Sequence, residues 1–186
     1  MTYDPITPRF SIHTDLLDLT LETTVGRQFS VSHSKGRCRI LCPEGRLTES
    51  EAMQRWMRDV IREQLRKQAH LLLPERLQML AGKWGLPFSQ LTIRRTSSRW
   101  GSCTADRHIS LSIYLMLLDA EYIDSVLLHE LCHTRQMNHG PQFWALLDSL
   151  EGGKARLHAR QLRNLTKQWQ QTGDPRAQLI MRERPV

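Results

Sequence analysis

The sequence has no C-x-x-C pair. Its four cysteines, Cys38, Cys42, Cys103 and Cys132, lie at other spacings, so neither a disulfide framework nor a cysteine zinc site is indicated. Read as reduced thiols, they point to a cytoplasmic protein. Nor does any stretch approach the roughly 18 apolar residues that a membrane span needs. Met1 to Phe10 mixes prolines, an acid and a base without an apolar core, which speaks against a cleaved export signal and a membrane partner. Internal repeats and low-complexity segments are also missing.

Acidic residues are in deficit, with 19 Asp and Glu against 26 Lys and Arg, a formal net charge of +7. Such a balance draws a chain toward nucleic acid, nucleotides or acidic proteins, although a solvated basic surface accounts for it equally well. The deficit is sharpest after Glu151. Lys154, Arg156, Arg160, Arg163 and Lys167 follow with no acid before Asp174. On a helix, Leu162, Leu165 and Trp169 would form the packed side and the cations the outer one. Nucleic-acid phosphates are one partner for that face, and solvent is the simpler one.

The 186 residues suit a single domain. Leu16–Glu22, Arg27–His33 (with Phe29 and Val31 on one face) and Arg37–Cys42 alternate as strands, with Ser34-Lys35-Gly36 as the turn between the last two. This gives a β-rich N-terminal lobe over 9–45. The core then spans 46–171, and a loosely held tail covers 172–186. Thr48 and Glu51 fit a capping box. Met53, Trp56, Met57, Val60, Ile61 and Leu65 recur at helical spacing behind it. Pro74 should kink or restart that helix, which runs to about Lys83. Leu91–Arg95 and His108–Tyr114 read as strands joined by a loop over Thr96–Asp106. Asp119 caps a second helix reaching about Gln136, Gly140-Pro141 opens a short one ending at Leu150, and after Gly152-Gly153 a last helix runs to about Gln171.

Chemistry enters with His129-Glu130-Leu131-Cys132-His133, an H-E-x-x-H sequence inside the second helix. Four residues turn a helix by about 400°, so both imidazoles face the same way and reach one metal. Glu130 lies beside them, placed to hold a water rather than to ligate. His139, six residues past His133, matches the third-ligand spacing of H-E-x-x-H-x-x-G-x-x-H zinc enzymes. It reaches the metal only if the chain reverses just after Gln136, and Asn138 and Gly140 can supply a left-handed or tight conformation there. Asp148 and Glu151 are rival third ligands. Three neutral nitrogens would leave Zn2+ a fourth position for water, with Glu130 as its general base. Cys132, inside the helix, reads as a small buried residue and Cys103 as packing.

These elements come in a set order: Arg99-Trp-Gly-Ser-Cys103, the strand Ile109–Ser112, Val126-Leu-Leu-His-Glu-Leu-Cys-His133, and Met137-Asn-His-Gly-Pro-Gln-Phe-Trp144. The order resembles the YgjP-like metallopeptidases, relatives of the SprT-like and WLM zinc proteases. The strong likeness covers Leu91 to Leu150. It implies an α+β fold, a minimal zincin-like core of active-site helix, small sheet and supporting helices, with the N-terminal β-rich segment added. It also implies His129, His133 and His139 as metal ligands and Glu130 as catalytic acid/base. This chain departs from the family at Gly140, where Ser is common, and at Cys132, where Ala is common; both replacements are small.

The substrate is then a peptide or protein. A nucleotide is the alternative, because one branch of the family is labelled a nucleoside triphosphate pyrophosphohydrolase. A nucleic-acid-binding protein with a structural metal is a third class, disfavoured because closed structural sites supply four protein ligands. Arg94, Arg95 and Arg99 cluster at the R-W-G-S-C loop. Arg99 could bind a substrate carboxylate or phosphate, or pair with an acid and fix the loop. Tyr114 and Tyr122 are both candidate oxyanion donors. Trp100, Phe143 and Trp144 read as core around the site.

Overall fold

A computed structural model describes residues 5–174 and 176–180. Four strands, β1 (Ser11–His13), β2 (Asp18–Thr24), β3 (Ser30–Ser34) and β4 (Arg37–Pro43), form a sheet in the order β1-β2-β4-β3. β2 and β4 run parallel, with Leu19 opposite Cys38 and Leu21 opposite Ile40. All four side chains are buried, so the alternation read from the sequence becomes one apolar face. β1 is too short to leave a pattern. β3 starts later than expected, and all five of its residues are exposed, Val31 among them. As an edge strand it lies beyond the face that the core covers. Phe29, just before it, meets the edge of Trp56 at 4.7 Å between ring centres.

The core-facing side of the sheet is closed by α1 (Glu51–Trp84). Met57, Ile61, Leu65, Ala69, Leu73 and Leu77 are wholly buried along it, a stripe at helical period. The cap differs from the capping box expected at Thr48. Ser50 is the N-cap, its hydroxyl accepting from the Met53 amide at 3.4 Å. The reason lies in Gln54, whose Nε2 donates to the Thr48 carbonyl at 3.0 Å and to the Ile6 carbonyl at 3.1 Å. The Thr48 carbonyl is thereby held outside the helical ladder. Pro74 neither ends nor restarts the helix. Its missing donor and ring crowding normally cost about 3 kcal/mol, but Leu73 and Leu77, both wholly buried, pin the turns around it.

Beyond α1 come β5 (Gln90–Arg94), β6 (Gly101–Cys103) and β7 (His108–Ser112), in the order β5-β7-β6 with β5 and β7 parallel. β6 lies within the expected loop. Three residues starting on glycine carry no periodicity, and their pairing (Gly101 opposite Leu111, Cys103 opposite Ile109) is set by β7. After Ser112 the chain leaves the strand for a 3-10 turn over Ile113–Leu117, entirely buried. Four helices follow: α2 (Ala120–His133), α3 (Pro141–Leu150), α4 (Ala155–Thr172) and α5 (Arg176–Ile180). Asp119 occupies the N-cap position of α2 but makes no side-chain cap. The Asp15 carboxylate accepts from the Ala120 amide instead, at 3.0 Å. Among the described residues no helix is long and apolar enough to cross a membrane.

The expectation of a loosely held tail fails for its described part. Ala177 and Leu179 of α5 are wholly buried. Arg62 of α1, itself buried, donates from Nε to the Leu179 carbonyl at 3.0 Å and meets Asp59 at 3.2 Å. Arg176 lies over the Trp169 ring and donates to the Leu117 carbonyl at 3.2 Å. Pro175 and 181–186 lie outside the described residues. Five residues are too few for a sequence period, and the partner that seats them is more than a hundred positions away. Replacing Arg62 by Ala strands buried carbonyls and opens a void. We expect a loss of about 2–4 kcal/mol, read as a lower midpoint in urea unfolding with an unchanged slope.

Candidate functional site

α2 carries His129, half-buried, and His133, buried, on one face. Ile123, Leu127 and Leu131 are wholly buried on its other side. Its last turn closes at His133, with the Arg135 and Gln136 amides both bonded to the Cys132 carbonyl. The chain then reverses, as the position of His139 requires, by the tight alternative rather than the left-handed one. Asn138 does not adopt a left-handed conformation, and Gly140 has φ −76°. The Gly140 amide instead donates to the Asn138 carbonyl at 2.8 Å. That three-residue turn puts His139 at its apex. Pro141 follows as the first residue of α3, where its fixed φ and missing donor suit a helix start.

The three histidines meet as anticipated. His129 Nε2 lies 3.2 Å from His133 Nε2 and 2.9 Å from His139 Nε2, and one ligand atom from each residue falls within 4.8 Å of the others. Phe143 of α3, with no exposed surface, packs against all three rings at 4.6–4.9 Å between centres. His133 Nδ1 lies 3.1 Å from the Gln136 carbonyl. A carbonyl only accepts, so the proton sits on Nδ1 and the lone pair of Nε2 faces the cluster. Burial and the neighbouring imidazoles push His129 down to about 3, and burial also lowers His133. Both rings are therefore neutral near pH 7, the form that ligates. Among the described residues this trio can hold a metal ion, and its all-nitrogen donor set suits zinc.

The rival ligands are engaged elsewhere. Asp148 Oδ1 accepts from the Ala155 amide at 3.1 Å, stabilising the start of α4. Glu151 is buried, accepting from the Ser125 hydroxyl at 2.9 Å and meeting His158 Nδ1 at 2.7 Å.

Glu130 is 5% exposed and faces β6. A Cβ on Gly101 would sit 2.7 Å from Glu130 Oε1 and 2.8 Å from its Cγ, closer than such atoms approach. Only glycine at this point of the R-W-G-S-C segment leaves the carboxylate its place. Burial lifts Glu130 to about 8, while the positive charge of Arg99 pulls it back. A cation brought to the neighbouring histidines would act in the same direction as Arg99.

These residues open onto a cleft of about 450 Å3, walled by Arg99, Trp100 and Gly101 on one side and by α4 on the other. Of the three arginines expected at the loop, only Arg99 lines it. Arg95 pairs with Asp59 at 3.0 Å and with the Tyr114 hydroxyl, and Arg94 points to solvent. Arg99 makes no ion pair or hydrogen bond among the described residues, so it does not fix the loop by pairing with an acid. Tyr122 lies against His158, outside the cleft. Neither free thiol nearby is a nucleophile at neutral pH: burial pushes Cys132 up to about 12, and burial with Glu130 pushes Cys103 up to about 11. Arg163 and Ser125 also line the cleft. Arg163 stood in the basic run, but no spacing distinguished it from its neighbours.

No curated protein and no solved structure matches the chain. A family described as "YgjP-like, metallopeptidase domain" matches residues 13–165. That span holds β2 to β7, α1 to α3 and most of α4, an α+β arrangement consistent with a zincin-like core. Membership suggests a metal-dependent hydrolase, in keeping with the histidine trio. The chain belongs to the YgjP-like metallopeptidase family.

Proposed function

We propose that the protein is a zinc-dependent peptidase in which His129, His133 and His139 hold the ion and Glu130 is the general base. The observation that carries this reading is the convergence of three imidazole nitrogens beside a buried carboxylate that ligates nothing. Zinc, when bound, supplies the Lewis acidity that makes water a nucleophile near neutral pH and polarises a carbonyl. Glu130 accepts the proton of the attacking water and returns it to the leaving amine. Gly101 lets it stand close enough to do so, and Arg99 favours its ionised form. Phe143 excludes water from the far side of the ligands. The four unpaired cysteines support a reducing, cytoplasmic setting.

A nucleotide pyrophosphohydrolase using the same ion is the second reading. It is less well supported, since nucleotides are handled with magnesium on oxygen ligands and, among the described residues, Glu130 alone supplies a carboxylate to this cleft.

Glu130→Gln keeps the shape of the side chain but removes the base. Peptide hydrolysis should fall by about 10²–10⁴-fold, while metal analysis still finds one zinc per chain; loss of the zinc as well would assign Glu130 to coordination instead. Gly101→Ala should mimic that result with a smaller loss of activity and zinc retained, because it displaces Glu130 and not a ligand. For the third ligand, isothermal titration of the apo-protein gives a direct comparison. His139→Ala should weaken zinc binding by more than about 100-fold, and Asp148→Asn and Glu151→Gln should leave it within about threefold of the parent.

A further inference from the structure

Beside the metal cleft lies a second cavity of about 260 Å3. The two share a wall, since Arg99, Trp100, Leu162 and Arg163 line both. The chemistry of this side cavity differs from that of the cleft. Among the described residues no carboxylate lines it. Arg99 comes from the loop before β6 and Arg163 from α4. Both are exposed, and among the described residues neither is paired with an acid or makes a hydrogen bond. Ser97 and Thr166 add hydroxyls that bond to nothing else among the described residues. Two guanidiniums without an ion pair or hydrogen bond among the described residues, Arg99 shared with the Glu130 field and Arg163 not, beside free hydroxyls make a receptor for one anion. Its volume is below the roughly 300–1,000 Å3 of pockets for drug-sized ligands, and suits one amino-acid side chain rather than a nucleoside triphosphate.

We propose that this side cavity is the specificity pocket of the enzyme and takes a peptide carboxylate, held between Arg99 and Arg163, within one or two residues of the scissile bond. The assignment rests on the peptidase reading above and adds the substrate class to it: acidic peptides. The carboxylate belongs to an Asp or Glu side chain, or to a chain terminus. Arg163 is the residue that decides, because it takes no part in holding Glu130. Arg99 serves both places, facing the carboxylate of the substrate and that of the general base.

Two measurements on the full chain test this separately from the peptidase reading. The first is zinc-loaded protein incubated with a peptide library made by digesting a whole proteome, with cleavage sites read by mass spectrometry. Asp and Glu should be enriched severalfold at one fixed position beside the cut, and in Arg163→Glu that position should turn to Lys and Arg. Cleavage with no charge preference, or with one that Arg163→Glu leaves unchanged, would overturn the pocket while upholding the peptidase. The second uses zinc-loaded Glu130→Gln protein and fluorescence anisotropy. The probes are amidated alanine hexapeptides with one central glutamate or one central lysine, and an all-alanine hexapeptide with a free C-terminus. The glutamate or free-carboxylate probe should bind at least about tenfold more tightly than the lysine probe, with the order reversed in Arg163→Glu. Whichever of the two binds better names the source of the carboxylate. Charge-selective binding without cleavage of any library peptide would sustain the pocket and refute the peptidase. ATP binding more tightly than every peptide, and losing that advantage in Arg163→Glu, would overturn the peptide assignment.

Discussion

One aromatic ring sets the geometry of this protein. Phe143 touches His129, His133 and His139 at once and has no contact with solvent. Two of those imidazoles are fixed relative to each other by a single turn of α2. The third arrives on a different segment and is placed only because α3 docks its phenylalanine against α2. Apolar packing thus joins the two segments: the same ring that touches the helical imidazoles also touches the third.

A similar economy of contact governs Glu130. Among the described residues its carboxylate makes no hydrogen bond, and it stands directly against Gly101. β6 approaches α2 so closely that a single methyl group at Gly101 would collide with it. The same strand bears Trp100 just ahead of it, and Trp100 meets Trp169 of α4 edge-on at 6.4 Å. Glu130, the cleft wall and the basic helix thus meet at two consecutive residues, Trp100 and Gly101.

Much of this was legible in the sequence, and the reasons differ from element to element. The histidine spacing specifies geometry directly, because a helix admits only one arrangement of positions four apart. The stripe of α1 and the alternation of β2 and β4 survived as read, because each is long enough for a period to show. What escaped was short or non-local. β6 is three residues whose pairing is dictated by β7. α5 is held by Arg62, from α1. The α1 cap moved from Thr48 to Ser50 because Gln54 holds the Thr48 carbonyl. The reversal at His139 was expected from a left-handed or a tight conformation at Asn138 and Gly140, and the tight turn is the one found. Arg163 was visible as charge, but its place on the cleft depends on how α4 packs.

The three histidines are unequal in their surroundings. His133 is buried and its tautomer is fixed by the Gln136 carbonyl, His129 is half-covered, and His139 stands exposed on the apex of its turn. The two helical imidazoles thus share one rigid element, whereas the third sits on a separate three-residue turn, Asn138 to Gly140, at the wall of the cleft. A substitution on that turn would move one nitrogen and leave the other two in place, so the outer position is where the spacing of the trio is most easily retuned.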